Sequence, residues 1–366
     1  MPFHQKTRSL LLLAGFSSIV LMASVQTGQG RQVRLTGDEL QPVPPAQTAP
    51  VPSSDIAQTQ TNGIPPQFDS ASDFSEGLAL VGFEGTYGFI NRDGRVVVKP
   101  DLEISGMSSF SEGLAVIRFN GIHGFIDQKG QLFVSPYDAV SRFSNGLAAV
   151  RKGRQYGYVD KSGKVVIQPQ FALATAFSEG LAAVKLNSKY GYVDRSGKLV
   201  IPPQFDDAWE FAEGMAVIRQ GKKWGYLGKS KRVEISPQFD GAFSFSGSLA
   251  RVRIGDQWGY VNRKGAIAIP PQFSFASDFS QGLAAVQTGE KWSYINPSGQ
   301  PMFNRQFDFA SNFSEGLAAV KVNGKWGYIN PSGHFTIPAI FDNAGPFSEG
   351  MARVQVGEKW GYIGKR

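Results

Sequence analysis

The chain has 366 residues, 42% of them hydrophobic and 18% charged, with a formal charge of +7. That balance excludes wholesale disorder and is too mildly basic over this length to demand a nucleic-acid partner. Zero cysteines exclude disulfides, thiol nucleophiles and thiolate metal sites, and the three histidines, His4, His123 and His334, lie too far apart in sequence to share a metal-ligand motif.

Lys6 and Arg8 precede an apolar run from Leu10 to Ala23. A basic start followed by a run too short for the roughly 20 residues of a membrane span predicts a secretory signal over residues 1–25 and an exported protein: periplasmic, secreted or on the cell surface. Residues 26–63 are rich in Pro, Gln, Thr and Ser, with too few large apolar side chains to repay ordering, and predict a disordered linker.

From residue 64 to 366 one pattern repeats nine times. A phenylalanine opening an F-S-E-G-like motif stands at Phe74, Phe110, Phe143, Phe177, Phe211, Phe245, Phe279, Phe313 and Phe347, with most spacings being 34 residues. In step with it runs an aromatic-Gly pair, from Tyr87-Gly88 to Trp360-Gly361, with Ser293 in place of one glycine. In the eighth unit, Leu317 to Val322 and Lys325 to Asn330 read as two strands joined by Asn323-Gly324, a two-residue turn whose residues both tolerate positive φ. Elsewhere the slot holds Gly-X, as in Gly221-Lys222, which predicts a type II′ turn. The fixed loop length predicts the register: Val320 opposite Gly327, Ala318 opposite Ile329, Ala319 opposite Tyr328 and Lys321 opposite Trp326. A second turn (Asp194-Arg-Ser-Gly197) leads to a short third strand, Lys198 to Ile201, before Pro202-Pro203; a proline lacks an N–H, so it either ends this strand or sits on an edge, and about a dozen residues then connect to the next unit.

These residues resemble the WG-repeat family, also called KWG repeats. The resemblance rests on K-W-G-Y-I-N (Lys325 to Asn330), E-K-W-G-Y-I (Glu358 to Ile363), F-S-E-G-L-A-A-V (Phe313 to Val320) and P-P-Q-F-D (Pro202 to Asp206). It implies a bacterial β-repeat module without a known general activity, and it supplies no catalytic residues. The expected fold is all-β: nine tandem three-stranded meanders of about 34 residues. Each is too small to bury two apolar faces alone, so neighbours must cover one another. Two arrangements fit, an open superhelical array, which is the preferred reading, and a closed propeller-like ring. The chain begins its first unit at a third strand and stops after a second, so its N-terminal strand is available to complete the last unit.

For function, the recurrent glutamates (Glu76, Glu112, Glu179, Glu213, Glu315 and Glu349) read as structural acceptors of turn N–H groups, because a catalytic pair needs a singular place. The marker tryptophans read as core. The off-pattern residues are more informative. Two positions before the motif phenylalanine most units carry a small residue, but the fifth and sixth carry Trp209 and Phe243. With Arg219, Lys222, Lys223, Lys229, Lys231 and Arg232 nearby in sequence, they predict an aromatic-basic patch suited to an anionic glycan or an acidic protein of the cell envelope. Trp209, Phe243, Lys222 and Lys223 are therefore the expected ligand-binding residues. The expected protein is a non-catalytic binding scaffold without cofactor or metal; a glycan-active enzyme and a purely structural spacer are the alternatives.

Overall fold

The computed structural model describes residues 63–100 and 102–365; the expected signal and nearly all of the expected linker lie outside these residues. Among the described residues every regular element is a strand, arranged in nine small antiparallel sheets, or blades. The fourth blade is representative, with strands Leu173–Ala174, Leu181–Leu186, Lys189–Asp194 and Leu199–Phe205 hydrogen-bonded in that order. The central hairpin has the register read from sequence: in the eighth blade Val320 faces Gly327, Ala318 faces Ile329, Ala319 faces Tyr328 and Lys321 faces Trp326. The turns obey their residues too, with positive φ at both Asn323 and Gly324 but only at the glycine of Gly221-Lys222.

Two expectations change. The units have four strands, because the dozen connecting residues contain the end of one edge strand and a further short strand, as in Asp207–Ala212. The third strand also extends beyond Ile201 to Phe205, with its prolines on a sheet edge, the second of the two readings for them. Leu199–Phe205 includes Pro202 and Pro203, and its ladder skips from Tyr192↔Ile201 to Tyr190↔Phe205, so the prolines sit in a bulge where no N–H is required. This bulge explains the marker glycine. A Cβ on Gly225 would stand 2.4 Å from the Ile235 carbonyl oxygen and 2.7 Å from the Pro237 nitrogen. The seventh blade, which carries Ser293 there, has only three strands; isolated bridges Trp292↔Phe307 and Ile295↔Pro301 replace the fourth.

The nine blades close into a propeller-like ring, the second of the two expected arrangements, in place of the open array. The N-terminal strand Ile64–Phe68 becomes the edge strand of the ninth blade, pairing Ile64 with Tyr362 and Phe68 with Trp360, as Ile201 and Phe205 pair within the fourth. The core explains why closure is favoured. Each hydrophobic cluster is shared by two blades, such as Tyr192, Ile201 and Phe205 of the fourth with Phe211, Ala216 and Leu227 of the fifth. An open array would leave two such faces in water, at roughly 25 cal/mol per Å² of apolar area.

The fully buried ring in most blades is the tyrosine two residues beyond the marker aromatic. Its hydroxyl donates to a carbonyl of the following blade, as Tyr192 to Trp209 O at 2.8 Å, while the ring meets that blade's motif phenylalanine, Phe211, edge-on at 5.2 Å. The closing junction repeats both contacts: Tyr362 donates to Ser72 O at 2.8 Å and meets Phe74 at 5.0 Å.

Candidate functional site

The recurrent glutamates are held by the fold. Glu-Gly forms the centre of a tight turn, with φ of 56° at Glu76 and 81° at Gly77. Each carboxylate reaches the equivalent turn of the following blade: Glu349 accepts from Glu76 N and Gly77 N at 2.7 and 2.8 Å, and Glu213 from Gly247 N and Ser248 N at 2.8 and 3.2 Å. A cation of that following blade covers most of them, as Arg92 does Glu349 (3.2 Å), Lys161 Glu112 (3.3 Å), Lys229 Glu179 (3.1 Å) and Arg263 Glu213 (2.8 Å), while Glu76 meets the neutral Gln128 in that place. Burial pushes the Glu213 carboxyl up, but the two N–H donors and Arg263 outweigh it and hold the group below the usual glutamate range. A second belt runs along the opposite end of the sheets. Lys223, at the start of a central strand, meets Asp240 at 2.7 Å, and Asp240 also accepts from Gly255 N of the next hairpin at 2.9 Å.

Against this regular background, one stretch departs. Trp209 and Phe243 do meet, with ring centroids 5.4 Å apart across the junction of blades five and six. They belong to a longer chain of rings. Trp224 meets Trp209 at 5.6 Å, and Phe243 meets Trp258 at 5.7 Å. The chain continues through Phe275, Trp292, Phe309 and Trp326 at centroid spacings of 6.3, 5.5, 5.0 and 5.4 Å. Trp209 and Phe243 are half-buried rather than open, and Trp209 packs on the core between the two blades; Phe275 is the most open ring of the chain, at 42%. The marker tryptophans, read as core, are mostly half-buried members of this run, and Trp292 alone among them is buried.

Cations lie on the rings. The Arg251 guanidinium stands 3.5 Å above Phe243, and Arg219 and Arg253 lie 5.5 and 6.0 Å from Trp224 and Trp258. Arg251 Nη1 donates to Ala276 O at 2.7 Å, and its Nε makes a 2.8 Å charge contact with Asp278. Burial pushes the Asp278 carboxyl up and Arg251 only partly offsets it. Of the predicted lysines, Lys222 is exposed in the hairpin turn, while Lys223 is engaged with Asp240. The wider basic cluster is divided by the fold. Arg219, Lys222 and Lys223 stand at one end of the strand Lys223–Gly228, and Lys229, Lys231 and Arg232 beyond the other.

Phe275, Phe309 and Arg251 escape the sequence reading, although a signal for each was present. Phe275 and Phe309 stand four positions before the motif phenylalanine, where other units carry Ser70, Ala139 or Gly241. Arg251 fills a position that is Ala or Val in most units. Among the described residues no cluster of metal-ligating side chains is present, and no helix is long and apolar enough to cross a membrane. A groove of about 1020 Å³ opens between the first and second blades, lined by Lys99, Glu103 and Arg118 among others, in blades that the aromatic run does not reach.

Nine consecutive segments of the chain, residues 58–87, 87–121, 124–154, 156–190, 190–224, 224–258, 258–292, 292–326 and 326–360, match the WG containing repeat. No curated protein matches the sequence. Among solved structures, a eukaryotic initiation factor is similar over 74% of this chain and 87% of its own, at 9% identity and a TM-score of 0.54, a likeness of fold. PorZ, a bacterial surface component of the type-IX secretion system of Porphyromonas gingivalis, aligns with 83% of this chain at 11% identity and a TM-score of 0.34. The extracellular domain of a putative one component system from B. thetaiotaomicron aligns with 82% at 9% identity and 0.33. The chain spans about half the length of these two bacterial proteins, 52% and 53%, and the match is too loose to carry an argument.

Proposed function

Because the chain belongs to the WG-repeat family and its nine units close into a ring, we propose that it is a non-catalytic binding scaffold of the cell envelope, exported by its N-terminal segment, that recognises an anionic glycan through the aromatic run of blades five to eight. One observation carries this reading: the rings depart from the repeat at three adjacent junctions only, and arginines lie on the rings at the first two of them. Most other blades carry small residues at these positions, and none of them carries a ring there. Half-open rings beside cations suit a polymer with apolar sugar faces and acidic substituents. Lys222, exposed at the rim, supplies charge that no internal carboxylate offsets among the described residues. Lys223 and Phe243 complete the surface, and Trp209 supports it from beneath. The non-catalytic assignment is supported by the glutamates, whose carboxylates are engaged by turn N–H groups and so are not poised as acid or base.

The test is a titration of the purified chain with soluble polysaccharides, one rich in uronate and one neutral, read by tryptophan fluorescence. The uronate polymer is expected to shift the emission saturably, and the variant Phe275→Ser with Lys222→Glu is expected to lose the response while its circular dichroism stays unchanged. The reading fails if neither polymer binds or if the variant binds as well as the parent.

A further inference from the structure

The carboxylate belt is an internal control for its own exceptions. Three blades lack the glutamate: the third has Asn145, the sixth Gly247 and the seventh Gln281. After the sixth and seventh, the following blade has also lost its cation, with Pro297 and Pro331 in the place of Arg or Lys. After the third it has not. The fourth blade keeps Arg195, at the position equivalent to Lys229 and Arg263.

Arg195 also keeps the position in space. Its Nη2 stands 3.1 Å from where a Cβ on Gly146 would be, as Arg263 Nη1 stands 4.0 Å from that of Gly214 and Lys365 Nζ 3.9 Å from that of Gly316. It is exposed and has no carboxylate partner among the described residues, whereas Arg263 holds Glu213 at 2.8 Å. The turn that would share the carboxylate has the usual geometry, with φ of 52° at Glu179 and 84° at Gly180. Asn145 Oδ1 reaches Gly180 N at a long 3.3 Å, and Glu179 N has no acceptor among the described residues. Asparagine is one methylene shorter than glutamate and carries no charge, so the outer part of the seat stays open and its cation unbalanced.

We infer that the junction of the third and fourth blades is a binding seat for a carboxylate supplied from outside the chain, held by the Arg195 guanidinium and the N–H groups of Glu179 and Gly180. The Glu349 and Glu213 junctions show the arrangement it would complete, with two turn N–H groups on one side of the carboxylate and an arginine on the other. An acidic side chain of a protein and a uronate of a glycan present the same group, and both fit this chemistry.

Amide resonances of the full chain report on it directly. The parent is titrated at constant ionic strength with N-acetylglutamate methylamide, with glucuronate, and with N-acetylglutamine methylamide as the neutral control. The Glu179 and Gly180 amides are expected to move saturably with at least one of the acids, at least tenfold less with the neutral control, while Gly214 and Ser248, whose seat is filled internally, stay in place. The stronger of the two acids identifies the source. Arg195→Ala is expected to abolish the shifts, and so is Asn145→Glu, which restores the residue used elsewhere in the ring and therefore preserves the fold. Absent shifts overturn the assignment, as do shifts that the neutral control matches or that persist in Asn145→Glu.

Discussion

Ring closure is testable at one side chain. Phe68 lies on the N-terminal strand, is 4% exposed and faces Trp360 across the closing ladder; Phe205 holds the same place in the fourth blade at 0%. Truncating a buried phenylalanine to alanine costs about 3–5 kcal/mol. In a closed ring the two positions are equivalent, so Phe68→Ala and Phe205→Ala are expected to agree within about 2 kcal/mol, the ordinary spread for one substitution type in different contexts. For a domain of this size about 2 °C accompanies each kcal/mol, so both variants should melt about 6–10 °C below the parent. In an open array, Ile64–Phe68 would be a terminal strand free to fray at almost no cost, and Phe68→Ala would be nearly silent. Urea unfolding followed by tryptophan fluorescence, with both variants side by side, decides the matter. A Phe68→Ala loss below a third of the Phe205→Ala loss refutes closure.

The same geometry yields three further expectations. Gly225→Ala should cost about 3 kcal/mol or more, because the new Cβ would meet the Ile235 carbonyl and Pro237 at 2.4 and 2.7 Å; Ser293→Gly, where the regular edge strand is missing, should cost no more than about 1 kcal/mol in thermal melts. The Lys223, Lys291 and Lys325 side chains hold Asp240, Asp308 and Asp342 below the usual aspartate value of 3.8. A depressed carboxyl stabilises the fold above that value, so chemical denaturation should show stability falling as pH drops through and below 3.8, with a smaller fall in high salt. Glu210 is the opposite case. Burial pushes its carboxyl up, and the N–H of Ala176 only partly offsets this, so ionisation opposes folding at neutral pH. Glu210→Gln should therefore be more stable than the parent at pH 7, and that advantage should shrink as pH falls, levelling off below the usual glutamate value of 4.5.

Much of the blade was legible because its determinants are local. The Asn323-Gly324 and Gly221-Lys222 turns are fixed by which residues accept positive φ, and a fixed turn length sets which side chains face each other. The short first strand was not legible, since two residues such as Leu173–Ala174 carry no periodicity. The choice of ring over array was written only as a frame offset, because curvature depends on how Tyr192, Phe205 and Phe211 pack between blades, which no single repeat encodes. Trp209 and Phe243 announced themselves as exceptions, yet their half-buried state follows from partners such as Trp224 and Trp258 that belong to the regular pattern.

The exceptions are more telling in pairs than singly. Where the sixth blade loses its carboxylate at Gly247, the seventh loses its cation at Pro297; at the same junction the second belt is gone as well, with Gln257 and Ser274 in the places that Lys223 and Asp240 occupy one blade earlier. A lone lysine or aspartate there would be cheap, because an exposed ion pair contributes only about 0–1 kcal/mol. Both partners are nonetheless absent together, and the junction holds instead the Arg251–Asp278 contact and the Phe243, Trp258 and Phe275 rings. The joint between blades six and seven has thus exchanged two solvent-facing ion pairs for one more sheltered ion contact and an aromatic stack. Its adhesion should depend less on salt than that of the joint between blades four and five, where Glu179–Lys229 and Lys189–Asp206 are both solvent-facing.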